Sequence, residues 1–212
     1  MDKEIRTLAT EIELREEAEK NKKTISGYAV KWNEWSNPIA GMFQERFDKG
    51  AFSESLRSDS QKSLWCHDRS KVLASTSNGT LRIAEDEIGL RFEADLPDTS
   101  WGNDAYISIK RRDVDGVSFG FRSAPKTDIW DDKDPKMIKR TVKSAKIFEI
   151  SPETFPAYPQ TEVQARSIDT AYEEYRAETE KPVPETELRL AEQRKGFNKL
   201  KNKIYQIYQE VN

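Results

Sequence analysis

A single histidine, His67, occurs in the 212-residue chain, so any chemistry that needs an imidazole passes through it. It stands in Ser63-Leu64-Trp65-Cys66-His67-Asp68, where an apolar run enters the polar stretch Asp68-Arg69-Ser70-Lys71. That position predicts a strand end at the rim of a sheet or barrel. The only cysteine, Cys66, is its immediate neighbour. If the segment is a strand, adjacent side chains point to opposite faces, and these two then cannot form a thiolate–imidazole pair with each other. Cys66 therefore reads as a small buried apolar residue. His67 has two readings at this point: a structural or solvated side chain, or the general base for a hydroxyl nucleophile.

A candidate hydroxyl is Ser118, in Val117-Ser118-Phe119-Gly120-Phe121. Alternation sends Val117, Phe119 and Phe121 to one face and Ser118 and Gly120 to the other. The glycine two places on leaves room for a substrate backbone to come close. The plainer reading is an outward-facing strand serine. The segment lacks the GxSxG nucleophile elbow, which removes support for an α/β-hydrolase. A candidate carboxylate is Glu149, in Lys146-Ile147-Phe148-Glu149-Ile150-Ser151. Phe148 and Ile150 are expected toward the core and Glu149 on the opposite face. A carboxylate in an apolar strand needs a partner, since an unpaired buried charge is costly. A histidine N–H is one such partner and an Arg or Lys the other.

These residues need strands to hold them, and the sequence supplies strands between about residues 24 and 166. This middle zone holds all five Trp, and alternating segments recur at 24–30, 81–84, 90–94, 116–121 and 145–151. Asn78-Gly79 is a hairpin signal. Short helices are expected at 52–56 and around 103–110, and a polar surface loop from Pro125 to Pro135. Many short strands with a few helices read as a β-barrel or sandwich. Before this zone, Met1 to Lys23 is highly charged, and its strand or helix character is open. After it, 167–184 reads as a linker. Pro184-Glu185 suits a helix start, and Leu190, Phe197, Leu200, Ile204, Ile207 and Val211 form a heptad-like stripe, which predicts an amphipathic helix over 185–212.

Composition narrows the function. The chain is 35% hydrophobic and 34% charged with a net charge of −3. One His and one Cys exclude zinc fingers, His-rich metal centres and CxxC redox motifs. No apolar run is long enough to span a membrane, and no secretory signal opens the chain, so a cytosolic, reducing location is the default. The near-neutral balance gives no general attraction to nucleic acid, which counts against a nucleic-acid-binding barrel built on aromatics such as Trp65 and Trp101.

Taken together, the segments resemble the prohead proteases of tailed bacteriophages. Ser26-Gly27-Tyr28-Ala29-Val30 looks like the family's opening strand, and Glu45-Arg46-Phe47-Asp48-Lys49-Gly50-Ala51-Phe52 like its E-x-x-x-x-GAF segment. His67-Asp68 with Val72-Leu73-Ala74 and Gly89-Leu90 follow, then Ser118-Phe119-Gly120-Phe121, Glu149-Ile150-Ser151 and Pro156-Ala157. Ala74 stands where the family usually has Gly. The resemblance covers about 26–166. It implies a mainly β fold with flanking helices, a Greek-key β-barrel of the herpesvirus-protease type, in a domain of residues 1–166 with the motifs in 24–166. It implies a serine endopeptidase with Ser118 as nucleophile, His67 as general base and Glu149 orienting the histidine, and with no cofactor or metal. The implied substrates are the scaffold protein, the scaffolding segment of the major capsid protein, and the enzyme itself, inside the immature capsid in the host cytoplasm. A homodimer is a further implication, with neither nucleic acid nor membrane as partner. The alternative is a non-enzymatic assembly scaffold or docking module on the same barrel.

Overall fold

The computed structural model describes residues 3–9, 12–17, 22–39, 41–134, 137–154, 172 and 175–177. Strands dominate. In chain order they are β1 (Glu4–Ala9), β2 (Glu13–Glu17), β3 (Lys22–Lys31), β4 (Phe43–Phe47), helix α1 (Ser53–Ser58), β5 (Lys62–Trp65), β6 (Asp68–Ser75), β7 (Leu81–Glu85), β8 (Gly89–Asp95), helix α2 (Ser100–Lys110), β9 (Gly116–Ser123), β10 (Ile129–Asp131), β11 (Ile138–Val142) and β12 (Ala145–Glu153). The chain divides into two units, Met1–Glu174 and Tyr175–Asn212. In the second, only 175–177 are described, and they are helical. The linker and amphipathic helix expected over 167–212 otherwise lie outside the described residues.

The described strands form three sheets, with orders β1-β9-β12-β5-β6, β10-β11-β4 and β2-β3-β8-β7. The Greek-key barrel expectation is corrected here: no closed barrel is present among the described residues. One cause lies at Asn78-Gly79. Instead of a hairpin, Thr76–Asn78 is a 3₁₀ turn, closed by Gly79 at φ 74°. It carries the chain from the end of β6 in one sheet to β7 in another. The expected loop at 125–135 is also more ordered than its polarity suggests. It contains a 3₁₀ turn at Pro125–Thr127 and β10, paired with β11.

The apolar faces of the strands meet in one core that includes Ile25, Phe47, Phe52, Leu90, Phe92, Val117, Phe119, Phe121, Ile147 and Ile150. Phe47 meets Phe119 and Phe121 edge-on, with ring centroids 5.5 and 5.1 Å apart. Burying each such ring stabilises the fold by roughly 1.5–3 kcal/mol. These rings fix the inward face of β9, and so the outward face that carries Ser118. Phe148 departs from its expected place. A β-bulge between Ile147 and Glu149 resets the alternation, so that Ile147 and Ile150 enter the core. Phe148 instead packs under Arg122 and Lys146, at 5.6 and 5.9 Å from its ring centroid. The bulge places Glu149 directly opposite Gly120.

Candidate active site

Three neighbouring strands of the five-stranded sheet each deliver one residue. β9 presents Ser118 and β12 presents Glu149, with Ser151 facing Ser118 across the pair. β5 runs parallel to β12, with Lys62 opposite Glu149, and leads into the turn that carries His67. That turn corrects the strand expectation for Cys66-His67. Both residues have left-handed backbone, with φ of 48° and 59°, and form the two-residue connection between Trp65 and Asp68, which pair. The reversal lets the imidazole swing back over the sheet, where a strand would have aimed it along one face.

His67 Nε2 lies 2.8 Å from Ser118 Oγ, and His67 Nδ1 lies 2.7 Å from Glu149 Oε1. The second oxygen of Glu149 accepts a hydrogen bond from Ser151 Oγ at 2.6 Å. Lys3 Nζ also donates to Oε1, at 2.6 Å. It reaches there by passing over Gly120, where an added Cβ would stand 2.0 Å from Lys3 Cε and 2.8 Å from Glu149 Oε1. Burial works to raise the Glu149 pKa. The hydrogen bond and charge of His67, followed by Lys3, outweigh it and hold the carboxyl at about 2. Glu149 is therefore ionised throughout the neutral range. Cys66 moves the other way. Burial, reinforced by the nearby charge of Glu153, pushes its thiol up, away from thiolate character.

Ser118 is fully buried, and β1 is what covers it. β1 pairs antiparallel with β9, with Thr7 opposite Ser118. Ser118 Oγ lies 3.0 Å from the Arg6 carbonyl oxygen, which competes with His67 Nε2 for its single proton, and it receives a hydrogen bond from Thr7 Oγ1 at 3.2 Å. Sequence reasoning did not find Lys3 and Thr7, since nothing in their own segment says which strand edge it will join. Ser151 was within reach, because its spacing of two from Glu149 puts both on one face of a strand. Arg122, on the same strand as Ser118, is engaged over Phe148.

A hydroxyl, an imidazole and an ionised carboxylate in one hydrogen-bonded line form the arrangement by which serine hydrolases turn a weak nucleophile into a strong one. The family model for the caudovirus prohead serine protease matches residues 10–175, and the chain belongs to that family. It is thus a bacteriophage protease of capsid maturation, of the serine class. The solved structure of the bacteriophage T4 capsid assembly protease, gp21, is similar over 71% of this chain and 99% of that one, at 10% identity and a TM-score of 0.46. No curated protein matches the chain significantly.

The strained turn yields a direct test of the thiol. Cys66→Gly relieves a left-handed backbone that costs a non-glycine residue about 1–2 kcal/mol, while forfeiting some packing. The expected outcome is full proteolytic activity and a stability change within about 1 kcal/mol, read by thermal unfolding. Loss of activity with the fold intact would return the thiol to consideration.

Proposed function

We propose that the chain is the serine endopeptidase that cleaves the scaffold protein, or the scaffolding segment of the major capsid protein, and also itself, inside the immature capsid in the host cytoplasm. Ser118 is the nucleophile, His67 the general base and Glu149 the group that orients His67. The observation that carries this reading is the unbroken line from Ser118 Oγ through His67 to Glu149 Oε1, with contacts of 2.8 and 2.7 Å.

In this mechanism neutral His67 accepts the Ser118 proton at Nε2 as Oγ attacks the peptide carbonyl. Glu149 holds the Nδ1–H and stabilises the imidazolium that forms, while Ser151 fixes the carboxylate itself. The imidazolium then gives its proton to the leaving amine. Water, activated by the same imidazole, cleaves the acyl-enzyme and frees Ser118. General-base assistance of this kind contributes typically about 10²–10⁴-fold. Self-cleavage draws support from β1, which lays a peptide of the chain's own N-terminal segment across the nucleophile.

The test is co-expression with the phage's coat protein, as wild type and as Ser118→Ala, followed by intact-mass measurement. Truncated coat or truncated protease in the wild type alone is the expected result. Full-length chains in both samples, with shells still forming, would make the protein an assembly scaffold and end the triad assignment.

A further inference from the structure

Glu4 and Arg6, which face away from Ser118 on β1, enter a buried, charged pocket beneath β9. Arg6 binds Glu45 through Nε at 2.7 Å and Nη2 at 3.2 Å, and lies over the Phe121 ring. Glu4 binds Arg140 Nη1 at 2.8 Å, and Arg140 in turn holds Glu45 at 2.7 Å and Asp128 at 2.7 Å. Arg140, Glu45 and the Asp128 side chain are almost wholly out of water. The pocket thus offers a fixed cation to the residue two places before Arg6, and a fixed anion to Arg6 itself. The carbonyl of Arg6 is the one that meets Ser118 Oγ.

Taking the serine-protease reading as its basis, we propose that the outer edge of β9 is the peptide-docking edge, and that Arg140 and Glu45 select substrates with the pattern Glu-x-Arg, cut after the arginine. The peptide adds to the sheet as a strand, so its backbone supplies binding and its alternate side chains supply selection. When β1 leaves, Glu45 loses Arg6 and Arg140 loses Glu4, while Glu45, Arg140 and Asp128 keep one another. A peptide that restores both charges is favoured. One that lacks the arginine leaves Glu45 and Asp128 sharing the single guanidinium of Arg140, and one that lacks the glutamate gives up a charged bond to Arg140; a site built for a polar group rejects the analogue that lacks it. At each cut the C–N bond after the arginine breaks and Ser118 Oγ becomes acylated. Water then releases an arginine carboxylate and a new amino terminus.

The chain's own sequence carries this pattern in an uneven way. Glu-x-Arg occurs as Glu4-Ile5-Arg6, Glu13-Leu14-Arg15, Glu174-Tyr175-Arg176, Glu187-Leu188-Arg189 and Glu192-Gln193-Arg194. All five lie in the two terminal zones. None of the ten arginines from Arg46 to Arg166 has a glutamate at that spacing. The intended occupants of the pocket are therefore the terminal segments of this chain, and the body of the protease is free of the pattern.

Two measurements on the full chain decide this. Intact masses over time, wild type against Ser118→Ala, should show Ser118-dependent new amino termini among Thr7, Glu16, Ala177, Leu190 and Lys195. Ser118-dependent termini elsewhere would overturn the selectivity and leave the protease reading standing. Full-length chain throughout, with coat protein also uncut, would overturn both. The second measurement uses a quenched fluorescent peptide of residues 2–10 and the wild-type chain after self-processing. Replacing the glutamate or the arginine of the peptide by glutamine should lower kcat/KM by about 10²-fold each. A change within about twofold for both would overturn the selectivity. The substitutions are in the peptide, so neither result depends on a variant enzyme folding.

Discussion

His67→Ala is expected to lower kcat/KM on a peptide substrate by about 10⁶-fold, the scale at which triads lose a member that acts as part of a unit. No other imidazole exists in the chain to take over. Glu149→Gln should cost less, about 10⁴-fold, and for a tautomeric reason. A glutamine amide presented to Nδ1 donates a hydrogen bond, which makes Nδ1 the acceptor and moves the ring proton to Nε2. That nitrogen, 2.8 Å from Ser118 Oγ, then has no lone pair with which to accept the serine proton. Steady-state kinetics on the two variants check the order of the losses. Equal, small losses would remove both from the mechanism. The Glu149 carboxyl, held at about 2, also sets a pH expectation. Its folded pKa lies below its ordinary value of 4.5, so its contribution to stability is complete above about pH 4.5. It is lost as pH falls toward 2, and amounts to roughly 3 kcal/mol by linkage. Glu149→Gln should therefore flatten the acid limb of the stability curve, measured by denaturant unfolding between pH 5 and about 2.

Arg140→Met is expected to destabilise the fold by about 3–5 kcal/mol, because it strands Glu4, Glu45 and Asp128 together out of water. For a chain of this size that is a fall in Tm on the order of 10 °C. Arg140 also donates to Ser123, so few of its N–H groups are free to re-pair elsewhere. The three carboxylates face only two guanidinium groups, Arg6 and Arg140, which leaves an excess negative charge when all are ionised. Asp128 is where it shows. Burial, together with the charges of Glu45 and Glu4, raises its pKa from 3.8 to about 6 despite Arg140, and its Oδ1 has no hydrogen-bond partner among the described residues. A raised carboxyl pKa means that the folded state holds the proton more tightly. The Asp128 contribution is therefore most favourable below about pH 3.8 and is lost as pH rises through about 6. Asp128→Asn should remove that dependence and be the more stable protein above pH 6. Thermal unfolding of both variants at several pH values is the check, and an Asp128→Asn curve parallel to the wild type would refute the assignment.

Much of the site was legible in the sequence, because strand alternation is a local property. Val117, Phe119 and Phe121 had to share a face, and Ser118 and Gly120 therefore the other. The single histidine narrowed the candidate imidazole base to one residue by count alone. The core strands 24–30, 81–84, 90–94, 116–121 and 145–151 all fall within observed strands. What failed was read from dipeptides without their surroundings. Asn78-Gly79 carries turn chemistry whether it joins paired strands or links two sheets. Phe148 obeyed no alternation, because a bulge inserts a residue that composition does not mark. The Cys66-His67 pair reads as the end of a strand, where the structure has a turn of two left-handed residues.

By itself, then, the sequence determined which residue types could do acyl-transfer chemistry and which strands would carry them, since each follows from counting and from a two-residue period. Only the tertiary structure decided that His67 folds back between Ser118 and Glu149, because that depends on two consecutive left-handed residues. Only it decided that β1 lies on β9, because any charged strand can join a free edge, and the choice of edge is made by partners far away in the chain: Arg140, Glu45 and Glu149, which hold Glu4, Arg6 and Lys3.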